Sequence, residues 1–137
     1  MFASQNALQN WVPIEGIPPT LPTELALVTG TAGSADVTLK FDHEATERYL
    51  VLRFKEVAAL QAFEEFADAF WGPNFSLRFA NYALWTVAPS AWLAEFSDFT
   101  LSRSAQEYVH YCLGGFDGTL HILAAGEPLV AWTDVKN

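Results

Sequence analysis

The chain has 137 residues, 51% hydrophobic and 15% aromatic, with 16 acidic against 7 basic side chains and a formal net charge of -9. Disorder is excluded by the aromatic content, a disulfide framework by the single cysteine, Cys112, and a spanning helix by the lack of any apolar run near the roughly 20 residues a bilayer needs. The length suits one domain, residues 1–137, that buries about two-thirds of its surface on folding.

Residues 1–23 form a proline-rich arm, with Pro13, Pro18, Pro19 and Pro22 close together. Trp11, Val12, Ile14 and Ile17 give the arm reason to pack on the domain. Leu25 to Gly30 reads as a short strand. Asp36 to Asp42 and Glu47 to Lys55 both alternate, with Val37, Leu39 and Phe41 facing Leu50, Leu52 and Phe54. Pairing Asp42 with Glu47 places Leu39 opposite Leu50 and Val37 opposite Leu52, so the apolar faces coincide.

Glu56 to Phe70 is expected to be the main helix. Val57, Leu60, Phe63, Phe66, Ala67 and Phe70 make an apolar stripe, with Gln61, Glu64, Glu65 and Asp68 opposite. Ser76 to Val87 reads as a long strand. Pro89 opens a short helix carrying Trp92, Leu93 and Phe96. Glu107 to Gly114 and Thr119 to Ala125 form a second hairpin around an Asp117-Gly118 turn, and Leu129 to Val135 is the last strand. The order predicts an α+β fold: a mainly antiparallel sheet built from hairpins, with one longer and one short helix packed on it.

Charge narrows the partners. A phosphate backbone demands a basic patch, so nucleic acid is disfavoured, and an anionic membrane surface is disfavoured for the same reason. A basic protein partner suits the acidity. The amino terminus lacks a basic start followed by an apolar stretch, so no signal peptide is read and a cytoplasmic protein is expected.

The first chemical candidate is His110, Cys112 and His121. An Asp117-Gly118 turn sets Cys112 opposite Leu123 and Gly114 opposite His121, making Cys112 and His121 diagonal neighbours. His110 then lies about 13 Å from His121 along the ladder, at about 3.3 Å per residue. No ion reaches all three, so no metal and no cofactor is expected, and the trio remains a candidate pocket or a buried cluster. The Gly114 to Gly118 stretch reads as a turn and not a phosphate cradle, because a strand follows it. No nucleophile-elbow, zincin, nucleotide-binding or kinase signature is present. Ser90, Ser97, Ser102 and Ser104 have no base beside them in sequence.

Three segments carry a resemblance: YLVLRFKEVAALQAFEEF, LWTVAPSAWLAEFSD and YVHYCLGGFDGTLHILAAGEPLVAW. Together they resemble small bacterial α+β proteins of unassigned function, some of the size and character of immunity proteins that neutralise toxins. The resemblance covers about half the chain. It implies a protein partner and carries over no catalytic residue, although Glu95, His110 and Asp117 stand out as its polar positions.

The sequence therefore favours a non-enzymatic, protein-binding module. An acidic helix face would steer a basic partner onto aromatic anchors, through Glu64, Glu65, Asp68, Trp92, Glu95 and Asp98. The alternative is a small-molecule binder or small enzyme with His110, Cys112 and His121 in a pocket between sheet and helices. A homodimer through strand edges, completed by Trp132 and the arm around Trp11, is the third arrangement.

Overall fold

The computed structural model describes residues 7–31, 33–43, 46–64, 82–96, 104–115 and 118–134. The nine strands within them are β1 (Leu8–Asn10), β2 (Glu24–Thr29), β3 (Ala35–His43), β4 (Thr46–Phe54), β5 (Val57–Glu64), β6 (Leu84–Val87), β7 (Tyr108–Gly115), β8 (Gly118–Ala125) and β9 (Leu129–Thr133). A short helix, α1 (Ala91–Ala94), and a single 3-10 turn (Ala105–Glu107) lie between β6 and β7. All pairings are antiparallel, in a five-stranded sheet of order β1-β6-β7-β8-β5 and a four-stranded sheet of order β2-β3-β4-β9.

The two sheets pack face to face. Val37, Leu39, Phe41, Leu50, Leu52 and Phe54 from the smaller sheet meet Leu84, Tyr111, Leu113, Leu120, Ile122 and Ala124 from the larger one in a single buried cluster. Alternation places these residues, because a strand sends every second side chain to the same face. The β3–β4 hairpin holds the register expected from its pattern, with Asp42 opposite Glu47, Leu39 opposite Leu50 and Val37 opposite Leu52.

The expected α+β architecture is not what the chain forms. Strand makes up 60% of the described residues, and none of their helices reaches seven residues. The longer helix is replaced over its first half by β5, which pairs with β8 through Leu60–Ile122, Gln61–His121, Ala62–Leu120 and Phe63–Thr119. The physical reason lies at its start. Glu56 has φ 52, a left-handed conformation that turns the chain from β4 in one sheet to β5 in the other and cannot open a right-handed helix. The segment's three alanines suit either period, so the unpaired edge of β8 decided the outcome. Residues 65–70 of the expected helix lie outside the described residues, as do 76–81 of the expected long strand.

The amino-terminal arm closes one end of the sandwich. Tyr82 Oη donates to the Trp11 carbonyl at 2.6 Å, and the Trp11 ring lies 4.8 Å from that of Tyr111. Ile14, Ile17 and Leu21 pack on the same core. Trp132 Nε1 donates to the Glu15 carbonyl at 2.8 Å, while the Arg48 guanidinium sits 4.0 Å above the Trp132 ring. Trp11 and Trp132 are thus both engaged within the chain. No helix of the described residues is long and apolar enough to cross a membrane.

Candidate functional site

The central strands β7 and β8 of the larger sheet are buried on both faces. On the face turned away from the sandwich core, His110, Cys112, His121 and Leu123 are 0% exposed and Val87 3%. Burial on both sides explains why β7 and β8 read as nearly continuous apolar runs rather than as alternating ones. Within them, two imidazoles and a thiol occupy positions where aliphatic side chains would serve packing equally well.

The hairpin register brings these three groups together. Gly115 pairs with Gly118, so residues 116 and 117 link the strands and Cys112 stands directly opposite His121. His110 is two residues from Cys112 on β7, on the same face, and faces Leu123. The expected Asp117-Gly118 turn shifts every pair by two positions, and the expected 13 Å gap between the histidines closes. His110 Nε2 lies 2.7 Å from His121 Nδ1.

The contact extends in both directions. His121 Nε2 is 3.8 Å from Cys112 Sγ. His110 Nδ1 is 2.7 Å from Ser90 Oγ. Ser90 is the N-cap of α1, and its hydroxyl oxygen accepts from the Leu93 amide at 3.1 Å. The cap holds the oxygen, the oxygen holds the His110 ring, and His110 holds the plane of His121. The result is one hydrogen-bonded chain, Ser90–His110–His121–Cys112, across three elements.

Two proton arrangements satisfy the chain. In one, Ser90 donates to His110 Nδ1, His110 Nε2–H donates to His121 Nδ1, and His121 Nε2–H donates to the sulfur. In the other, the thiol donates to His121 Nε2, His121 Nδ1–H to His110 Nε2, and His110 Nδ1–H to Ser90 Oγ. A thiol proton passed to His121 Nε2 makes His121 an imidazolium whose Nδ1–H donates to His110 Nε2, so its charge is held by the chain of hydrogen bonds. Facing ring nitrogens at 2.7 Å share a proton and not an ion, since a metal would need each lone pair aimed at it from about 2.0–2.1 Å.

Aromatic rings wall the chain. Trp92 of α1 stands edge-on to His110 and His121, with centroids 5.2 and 6.3 Å apart. Phe63 of β5 stands edge-on to His121 at 5.7 Å. Trp92 is therefore half-buried, packed against the histidines. Glu95 is exposed, and its amide donates to the Trp92 carbonyl at 3.2 Å. Glu64 ends β5 and is not on a helix face, while Glu65, Asp68 and Asp98 lie outside the described residues. The steering helix face is thus not formed where Glu64 sits. Ser90 was missed because its base is twenty residues away; its position just before the apolar Trp92–Leu93 pair, after Pro89, is the N-cap signal that marks it.

Fold and site together define an all-antiparallel β-sandwich with a hydrogen-bonded thiol–imidazole chain on the outer face of one sheet. No protein-family model matches the chain, no curated protein matches its sequence, and no solved structure matches its fold. The resemblance to immunity-type proteins accordingly assigns no role to any residue here.

Proposed function

We propose that the protein is a thiol-dependent acyl-transfer enzyme, with Cys112 as nucleophile, His121 as base, and His110 and Ser90 as positioning residues. The observation that carries this reading is the His110–His121 contact at 2.7 Å, with the thiol 3.8 Å from the other nitrogen of His121. A nucleophile beside a base that a third group orients is the arrangement nucleophilic catalysis requires. With no second cysteine in the chain, an internal dithiol cycle is not available to this thiol.

The step balances without a further reagent. Sγ bonds to the carbonyl carbon of an ester while its proton passes to His121 Nε2. His121 Nδ1–H then donates to His110 Nε2, and His110 Nδ1–H donates to Ser90 Oγ, so the imidazolium charge is held by the chain of hydrogen bonds. The ester C–O bond breaks and the departing alcohol takes the proton from His121. Water next adds to the thioester, the C–S bond breaks, and Sγ regains a proton as the carboxylic acid departs. Cys112 has no solvent contact in this conformation, so reaction requires a ring beside it to move.

The test is acylation by p-nitrophenyl acetate, followed by release of the phenol and by mass spectrometry. A burst with the adduct on Cys112, abolished in Cys112→Ala and slowed at least tenfold in His121→Gln, is the expected result. Reaction of Cys112 no faster than global unfolding would overturn the proposal and leave the chain of four residues a packing element.

A further inference from the structure

Among the described residues the edges of the two sheets are β1 and β5 in the larger and β2 and β9 in the smaller. An edge strand offers unpaired N–H and C=O groups to any strand laid beside it, and charge on the edge is a common guard against this. β5 carries Glu64 and β2 carries Glu24, while β1 is only 3 residues long. β9, Leu129–Thr133, carries no charge. Its inner side is taken by β4. From Leu129, Val130, Ala131 and Trp132 no main-chain hydrogen bond runs to any other described residue. The amino-terminal arm meets β9 through the Trp132 indole, and Ala131 stays exposed.

The surface beside this edge is apolar. Two depressions, of about 390 and 400 Å³, meet at Leu129 and Val130. Val51 and Ala131 line one, and Val12, Pro13 and Pro128 line the other. Val12 is 68% exposed and Leu129 62%. The rim holds a charge of each sign, Arg53 and Glu127. An apolar centre with a polar rim is the anatomy of a protein interface, and the open ladder calls for an extended strand as its occupant.

We infer that β9 pairs antiparallel with β9 of a second copy of the chain, about a two-fold axis beside Ala131. A two-fold contact uses one patch that faces itself. The register about Ala131 sets Leu129 opposite the partner's Thr133 and Val130 opposite the partner's Trp132. On the outer face the row Thr38–Val51–Ala131 then runs on into the same row of the second chain, and two four-stranded sheets become one of eight. Charge selects the second copy and this edge. With a net charge of -9 on each chain, two copies repel wherever carboxylates meet. The β2 and β5 edges would bring glutamates together, whereas β9 brings none. The inference is independent of the acyl-transfer reading.

The test is the mass of the full chain in solution, by sedimentation velocity from micromolar to submillimolar concentration. The wild type should sediment as two chains at the upper end. Ala131→Lys should weaken the dissociation constant at least tenfold, because two lysines then face each other across the axis, with Leu129→Glu as the second variant should the first fail to fold. Val28→Glu, at an equally exposed position on β2, should leave the mass unchanged. A single-chain mass throughout in the wild type overturns the proposal and leaves the edge to a strand of a different protein. A dimer that survives Ala131→Lys in a folded protein, or an equal loss in Val28→Glu, overturns the assignment to β9. The register has its own check. Directly opposite residues hold their Cβ atoms about 4.5–5.5 Å apart, so Ala131→Cys, made in Cys112→Ala to leave no other thiol, should cross-link two chains on oxidation, and Val28→Cys in the same background should not. No cross-link from Ala131→Cys overturns the axis at that residue.

Discussion

His110 Nε2 and His121 Nδ1 lie 2.7 Å apart, on neighbouring strands and 0% exposed. Each ring satisfies the other, so the pair is an interdependent unit and not two separate histidines. Removing one partner leaves a buried nitrogen without its hydrogen bond, at a cost of about 1–3 kcal/mol. His110→Ala and His121→Ala should each destabilise by at least that much in urea titration. The double variant should fall short of their sum by about 1 kcal/mol or more, the mark of direct coupling. Strict additivity would show that the two rings do not share a proton.

Ser90 has two tasks, capping α1 and holding His110. Ser90→Ala should lose about 1–2 kcal/mol, in the range for a lost N-cap with a buried partner. Ser90→Asp keeps a capping oxygen but has no proton to donate, so it holds His110 only as an Nδ1–H donor. The two substitutions should therefore differ in the pH profile of Cys112 alkylation, measured with iodoacetamide, more than in helix stability. Identical profiles would confine Ser90 to capping.

Tyr111 makes stability depend on alkaline pH. Its hydroxyl donates to the Gly126 carbonyl at 2.8 Å, and burial, with the Glu127 carboxylate adding to it, pushes the phenol up to about 12 from an ordinary 10. The folded state thus holds a proton that the unfolded state releases first. The stabilisation is complete below pH 10 and disappears as pH rises through about 12. Up to about 2 kcal/mol should be lost over that interval, and Tyr111→Phe should flatten the loss. An equal slope in the variant would place the titrating group elsewhere.

Glu56 stands at φ 52 where β4 hands over to β5. A β-branched side chain is strained there, whereas glycine is not. Glu56→Val should lower stability by about 1–2 kcal/mol, and Glu56→Gly should leave it within about 1 kcal/mol. Thermal unfolding of the two variants side by side checks the order.

Leu39 and Leu52 sit on the inner face of the smaller sheet at 0% exposure. Truncating either to alanine should lose about 2–5 kcal/mol, because transfer and cavity terms add. Val28, 65% exposed on β2, gives the contrast: Val28→Thr should change stability by less than about 0.5 kcal/mol. Equal losses at core and surface positions would contradict the assignment of the inner face.

Much of this was legible in the residues. The β3–β4 register followed from matched apolar faces, because a slip of one residue would bury Thr38 and Lys40 in place of Val37 and Leu39. The β7–β8 hairpin was recognised, but its register was not. A slip of two residues keeps every side chain on its face, so hydrophobic patterning is blind to it. That slip is the whole difference between histidines about 13 Å apart along the ladder and ring nitrogens at 2.7 Å. The segment Val57–Glu64 was misread for a related reason: Val57, Leu60 and Phe63 fit a helical stripe, while Leu60 and Ala62 fit the inner face of a strand.

The sequence by itself determined the abundance of apolar hairpins, the inner faces of β3 and β4, and the type of group on the outer face of β7 and β8. Those follow from local periodicity and composition, which each segment carries alone. Only the tertiary structure decided that residues 57–64 extend a sheet, that Gly115 pairs with Gly118, and that Ser90 reaches His110. Each is a contact between segments distant in the chain, chosen by which edge lacked a partner and which polar group, once buried, had to find one.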